Sequence, residues 1–124
     1  MPGLAYDYAL VRAVCVPTGD AVTVGAVLSC RQARFLGVRL ADGAEAARRL
    51  DLDAALLQRA LDGFARVADG GPEAGPVGRL PPSERFHFLT AVRSASLQTS
   101  PVRTGVADDP AEALRQLAAT LGLG

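Results

Sequence analysis

Residues 83–105 have the sequence SERFHFLTAVRSASLQTSPVRTG, in which a helical pattern passes directly into a strand pattern. Two prolines precede this stretch and end any earlier element, and Ser83 is of a residue type favoured at helix N-caps. Apolar residues then surround a short helix, which predicts that this helix is mostly buried. From Ser94 to Ser100 apolar and polar residues alternate, as along a strand, and Pro101 ends the strand because it has no backbone donor.

Three apolar segments precede this stretch and are joined by short polar connections. They are Tyr6 to Val16, Ala21 to Cys30 and Phe35 to Leu40. Strands joined by such short links predict an antiparallel meander. Gly25, in the middle of the second segment, indicates either a bulge or the close approach of a neighbouring group.

Two further segments have helical spacing. The apolar positions of the longer one are Leu50, Leu57, Leu61, Phe64 and Ala68. Asp51 or Asp53 is a plausible N-cap for this helix, and Gly63 within it costs about 1 kcal/mol relative to alanine, which suggests close contact with a strand. At the C-terminus, Asp109 followed by Pro110 predicts the start of a second amphipathic helix.

The order of strand-like and helix-like hydrophobic patterns along the chain predicts one α+β domain over residues 1–124. We expect an antiparallel sheet of about four strands, in the order β-β-β-α-α-β-α, in which the Ser94 to Ser100 strand joins the N-terminal three. The long helix and the C-terminal helix are expected to cover the sheet, mainly on one face.

Composition limits the classes of partner. The chain has 124 residues, 49% hydrophobic and 21% charged, as in an ordinary globular protein. Thirteen bases, all arginine, balance thirteen acids, so no net charge attracts the chain to nucleic acid or to an anionic membrane. We expect neither as a partner.

The location and the cysteines follow from similar observations. The N-terminus has no basic lead, and no stretch approaches the roughly 18 apolar residues of a membrane span, so we expect a cytoplasmic protein. Cys15 and Cys30 are expected to be reduced thiols, because the hairpin register keeps them apart. The glycines near Gly75 lack the spacing of a nucleotide loop, and we expect no cofactor and no metal.

An excess of arginine marks the candidate site. Between Gly75 and Gly105 four arginines face a single acid, Glu84, and guanidinium groups bind carboxylates and phosphates through paired hydrogen bonds. The predicted anion-binding surface consists of Arg79, Arg85, His87, Arg93, Gln98 and Arg103. The alternative is that these arginines pair with acids elsewhere in the chain, such as Asp42, Asp51 and Asp62.

His87, the only histidine, allows two functional interpretations. As a general base it could activate Ser94 or Ser96, which would make the protein a small hydrolase or transferase acting on an anionic substrate. No nucleophile elbow supports this, and a structural histidine is the alternative. The favoured hypothesis is a binding or accessory module for an anionic small molecule or a protein partner, and a homodimer is compatible with it.

Several motifs carry a resemblance to a known family. They are YDYALVR (Tyr6 to Arg12), VTVGAVLSC (Val22 to Cys30), RFLGVRL (Arg34 to Leu40), GPVGRLPPSERFHFLTAVRS (Gly75 to Ser94) and SLQTSPVRTG (Ser96 to Gly105). In these motifs the chain resembles a bacterial family known as domain of unknown function 3037. The resemblance implies no activity and no residue role, but it implies a HipA-like kinase as a possible partner.

Overall fold

A computed structural model describes residues 3–91 and 95–123 of the chain. The predicted α+β fold with an antiparallel sheet is confirmed. The strands are β1 (Leu4–Val14), β2 (Ala21–Cys30), β3 (Phe35–Leu40), β4 (Leu97–Thr99) and β5 (Arg103–Ala107). The α-helices are α1 (Ala44–Leu50), α2 (Ala54–Asp69), α3 (Pro82–Leu89) and α4 (Pro110–Thr120), and a 3-10 segment, Pro72–Arg79, precedes α3.

The long strand β1 is the centre of the sheet. The strand order is β3-β2-β1-β4, and β5 also pairs with β1. The edge of β1 that faces away from β2 is shared, because β5 pairs with residues 4–8 and β4 with residues 11–13. The predicted strand at Ser94 to Ser100 is therefore confirmed over Leu97–Thr99, with Ser94 outside the described residues. The strand β5 was not predicted.

Gly25 satisfies both alternatives that the sequence left open. The β1–β2 register passes from Val11 opposite Gly25 to Arg12 opposite Thr23, so Val24 is an extra residue in a bulge. A Cβ atom on Gly25 would also lie 2.5 Å from the carbonyl oxygen of Arg39 on β3. Only glycine allows the neighbouring strand to approach this closely.

Helices cover both faces of the sheet. On one face, α1, α2 and α3 bury the alternate β1 residues Ala9 and Val11. On the other face, Leu114 of α4 packs on Ala26 and Leu28 of β2. The expectation that α2 and α4 mainly share one face is wrong, because the apolar stripe of a helix does not specify which side of a sheet it covers.

Side-chain caps begin two of the helices as predicted. The carboxylate of Asp53 accepts a hydrogen bond from the Leu56 amide at 3.1 Å at the start of α2. Asp109 accepts from the Ala111 amide at 3.1 Å, with Pro110 as the first residue of α4. These contacts satisfy backbone donors that have no partner within the helix.

Two local predictions are wrong. Ser83 is not the cap of α3, because the helix already begins at Pro82, whose fixed φ suits a first helical position. Gly63 does not touch a strand. The nearest atom to a Cβ built there, outside the local helix backbone, is a guanidinium nitrogen of Arg66 at 3.9 Å. Within the described ranges, no helix has both the length and the apolar character needed to cross a membrane.

Candidate functional site

The structure distributes the predicted site residues over several elements. Arg79 is exposed at the end of the 3-10 segment. His87 is exposed on α3, where its ring lies 6.4 Å from that of Phe86 in an edge-to-face arrangement. Gln98 lies on β4, and Arg103 is exposed on β5. Arg93 and Ser94 lie outside the described residues.

Arg85 binds the protein's own backbone. Its Nη1 donates to the carbonyl oxygen of Leu80 at 2.6 Å, and its Nη2 donates to that of Ala68 at 3.3 Å. A Cβ atom on Gly70, whose φ is +78°, would lie 3.0 Å from the guanidinium carbon. Arg85 therefore fastens the end of α2 to the residues before α3, and two of its nitrogens are already engaged.

Ser96 and His87 are placed differently. Ser96 lines a pocket between α2, the end of α3 and β4, and its carbonyl accepts a hydrogen bond from the Val14 amide at 2.7 Å. Among the described residues that line this pocket, His87 is not found. His87 and Ser96 therefore do not line this pocket together, and the other candidate serine, Ser94, lies outside the described residues.

The sheet register brings Gln98 and Arg103 onto one face, together with Arg12. Gln98 lies directly opposite Arg12, and Arg103 lies directly opposite Tyr8. Alternate residues of a strand share a face, so Tyr8 and Arg12 of β1 are on the same side of the sheet. We call this surface the arginine face, which comprises Tyr8, Arg12, Thr23, Gln98 and Arg103.

The arginine face lies at the end of this side of the sheet that α4 leaves uncovered, and its residue Tyr8 borders the cluster that packs under α4. Leu28, which pairs with Tyr8 on the opposite edge of β1, packs against Leu114 of α4. Arg12 and Arg103, by contrast, are exposed. The sequence of β1 matches this division, because its only arginine lies near the end of the strand that α4 does not cover.

Neither arginine of this face forms an ion pair with an acid in the part of the chain that the structure describes. In the ranges 3–91 and 95–123, the ion pairs within 4.0 Å join Arg48 to Glu45 and Arg115 to Glu112. Asp7 is adjacent to Tyr8 in β1 but points to the other side of the sheet. The alternative that the arginines of the predicted site are neutralised by acids elsewhere therefore does not apply to Arg103.

Spacing along the strand sets the separation of the two charges. Arg103 lies beside Tyr8, and Tyr8 and Arg12 are four residues apart, which corresponds to about 13 Å along a strand. Each guanidinium carries several donors in a planar fork. The face can therefore bind two anionic groups on an extended partner, or bind one large group from both ends.

Gln98 and Arg12 differ in how the sequence indicates them. Gln98 was predicted, and its side-chain amide donates to the carbonyl oxygen of Ala95 at 2.8 Å. Arg12 was not predicted as a site residue. A signal was present, because Arg12 is the only charged residue after Asp7 in an otherwise apolar strand. Its position beside Gln98 depends on the pairing of strands that lie far apart in sequence.

The described residues offer few groups for metal binding. In that part of the chain no group of three or more His, Cys, Asp or Glu side chains is close enough to hold a metal ion. Cys15 is partly buried and Cys30 is buried, and both are free thiols.

Comparison with known proteins identifies a family but no characterised relative. No curated protein and no solved structure matches the chain. The family model described as "Protein of unknown function (DUF3037)" matches residues 8–121. The match begins within β1, continues through the end of α4 and includes the whole arginine face, and the chain belongs to the DUF3037 family.

Proposed function

We propose that the protein is a binding module whose arginine face docks an acidic surface of a partner protein. The observation that carries this proposal is the exposure of Arg12 and Arg103 on one face of the sheet, where neither forms an ion pair with an acid among the described residues. The whole chain has no net charge, so its overall electric field does not attract a charged partner. The local positive charge of the arginine face is what attracts an acidic surface.

The shape of the face favours a protein over a small molecule. Small ligands bind in concave pockets that enclose most of their surface. The arginine face is one side of a pleated sheet, with the charges about 13 Å apart along β1. Two carboxylates on a neighbouring protein surface match this spacing better than a single phosphate ion does.

A rigid base supports this role. Arg12 sits on the central strand, which pairs with three other strands, and Arg103 sits on β5 directly beside it. Residues held on paired strands lose less freedom on binding than residues on loops, and this lowers the entropic cost of association. A HipA-like kinase is the candidate partner that follows from the family resemblance.

The first experiment measures binding of a fluorescein-labelled octaglutamate peptide by fluorescence anisotropy at low salt. Wild-type protein should bind the peptide, and the variant carrying both Arg12→Ala and Arg103→Ala should bind at least about tenfold more weakly, since hydrogen bonds to charged groups contribute about 1.5–3 kcal/mol each. Arg59→Ala is the matched control, because Arg59 is exposed on α2, away from the face.

A second measurement separates small anions from proteins. Phosphate and sulfate should raise the melting temperature of the protein only slightly in thermal-shift measurements. A cognate HipA-like kinase, by contrast, should co-purify with the protein. Loss of co-purification in the double variant, but not in Arg59→Ala, would support the proposal. Equal binding of the peptide by wild type and double variant would overturn it, and so would equal losses in the double variant and the control.

A further inference from the structure

A cavity lies on the side of β4 that faces the helices. Its volume is about 290 Å³, and it opens between α2, the end of α3 and β4. Its walls include Phe64 and Val67 of α2 and Phe88 of α3, and Leu97 and Thr99 line it on the β4 side. None of the described lining residues is charged. The cavity is thus chemically distinct from the arginine face.

Gly63 gives the cavity one of its walls. A glycine inside a helix costs about 1 kcal/mol relative to alanine and is normally retained because another group packs closely against it. No such group is present, since the atom nearest to a Cβ at this position is a flexible Arg66 nitrogen at 3.9 Å. Because Gly63 lines the cavity, the missing side chain leaves its space as part of the cavity.

The size of the cavity limits what it can hold. An apolar cavity of about 150 Å³ accommodates benzene, so about 290 Å³ suits a ligand of one substituted ring or two fused rings. Phe88, which lines the cavity, is 43% exposed. Aromatic rings pack favourably against other rings in offset or edge-to-face geometry.

We propose that this cavity is a binding site for an aromatic small molecule with one hydrogen-bonding group. The rings lie between Phe64 and the β4 segment, and the polar group faces Thr99, whose side chain shares the side of β4 with the buried Leu97. This site uses neither Arg12 nor Arg103, although Gln98 borders both sites, and it does not require the proposed partner.

The test uses 2-naphthol as the probe, followed by its own fluorescence. The chain contains no tryptophan, so protein emission interferes little. Saturable binding by wild type and a melting temperature that rises with naphthol concentration are expected.

Two variants fill the cavity from α2. Gly63→Leu should weaken naphthol binding at least tenfold. Ala60→Leu alters the same wall one turn away and should weaken binding in the same way, so it provides the test if Gly63→Leu does not fold. Asp62→Leu is the matched control, because this exposed neighbour carries the same new side chain outside the cavity. The variant carrying both Arg12→Ala and Arg103→Ala should retain full naphthol binding.

Specific results would overturn the inference. They are an absence of saturable binding in wild type, wild-type affinity in a folded Gly63→Leu or Ala60→Leu variant, or an equal loss in Asp62→Leu. Loss of naphthol binding in the double arginine variant would also contradict it, because the two sites would then not be independent. If the arginine face does not bind the acidic peptide, the expected results for naphthol binding in the cavity stay the same.

Discussion

Ser100 and Leu10 are joined by two hydrogen bonds of equal length. The Ser100 amide donates to the carbonyl oxygen of Leu10 at 2.8 Å, and the Leu10 amide donates to the hydroxyl oxygen of Ser100 at 2.8 Å. Ser100 is only 7% exposed and lies between β4 and β5, where the edge of the sheet is interrupted. The hydroxyl thus takes the place of the backbone carbonyl that a continuous strand would present to Leu10.

Ser100→Ala should therefore destabilise the fold. The substitution leaves the Leu10 amide without an acceptor at a largely buried position, which costs about 1–3 kcal/mol. Urea denaturation followed by circular dichroism measures this change. Ser83→Ala is the control, because the Ser83 side chain is in the first turn of α3 and should change stability by less than about 0.5 kcal/mol. Equal effects of the two substitutions would contradict the role assigned to Ser100.

Asp109→Ala should destabilise the protein by about 1 kcal/mol, because α4 loses the carboxylate that accepts from the Ala111 and Glu112 amides. Asp108→Ala removes the same charge one residue earlier and serves as the control. It should have a much smaller effect, since the hydrogen bonds at the start of α4 involve Asp109. Chemical denaturation of both variants at one pH separates the cap from the charge.

Arg85→Met should destabilise the protein by about 1–3 kcal/mol, because the bonds to the carbonyl oxygens of Leu80 and Ala68 are lost. Arg79→Met, at an exposed position six residues earlier, should cost less than about 0.5 kcal/mol. Thermal denaturation provides the comparison. If Arg85→Met unfolds at the wild-type temperature, Arg85 does not fasten the end of α2.

Two glycine-to-alanine substitutions should have opposite signs. At Gly37 a new Cβ would lie 2.8 Å from Leu114 and 2.7 Å from the Phe35 ring, so Gly37→Ala should destabilise by about 1–3 kcal/mol. Gly63→Ala meets nothing closer than 3.9 Å and should stabilise by about 0.5–1 kcal/mol. Urea denaturation measures the stability of both variants, and each variant serves as the control for the other. The same sign for both would show that the described packing is wrong at one of the two positions.

Salt should separate the two proposed sites. Acidic-peptide binding to the arginine face should weaken strongly as sodium chloride rises from about 0.1 M to 1 M, where the screening length falls from about 10 Å to about 3 Å. Binding of 2-naphthol in the cavity should not weaken, because it involves no charge pair. Arg103→Glu should lower peptide affinity more than Arg103→Ala does. Peptide binding that is insensitive to both salt and charge reversal would argue against an electrostatic interface.

The parts of the fold that were predicted correctly have local signals. Asp109 followed by Pro110 specifies a helix start within two residues, and the alternation after Ser94 specifies a strand. The side of the sheet that α4 covers was mispredicted, because it depends on the space that Gly37 leaves for Leu114, and these residues are far apart in sequence. The apolar stripe of a helix shows which side of the helix is buried, but not which face of the sheet that side packs against.

The site was less predictable for the same reason. Arg85 looked like a ligand-binding group because its carbonyl partners, including Ala68 seventeen residues earlier, cannot be recognised from sequence. Arg12 was missed because its neighbours Gln98 and Arg103 become neighbours only through the pairing of β1 with β4 and β5. Residue types predicted the kind of chemistry, whereas strand register determined which residues share a surface.

The interrupted edge formed by β4 and β5 also bears on self-association. An uninterrupted, flat edge strand is a template onto which strands of other molecules can add, and such addition leads to aggregation. Here that edge offers three residues, then a break containing Pro101, which has no amide to donate, and then five residues. An incoming strand cannot keep one register across the break, so this edge of the sheet is protected against fibril-like growth.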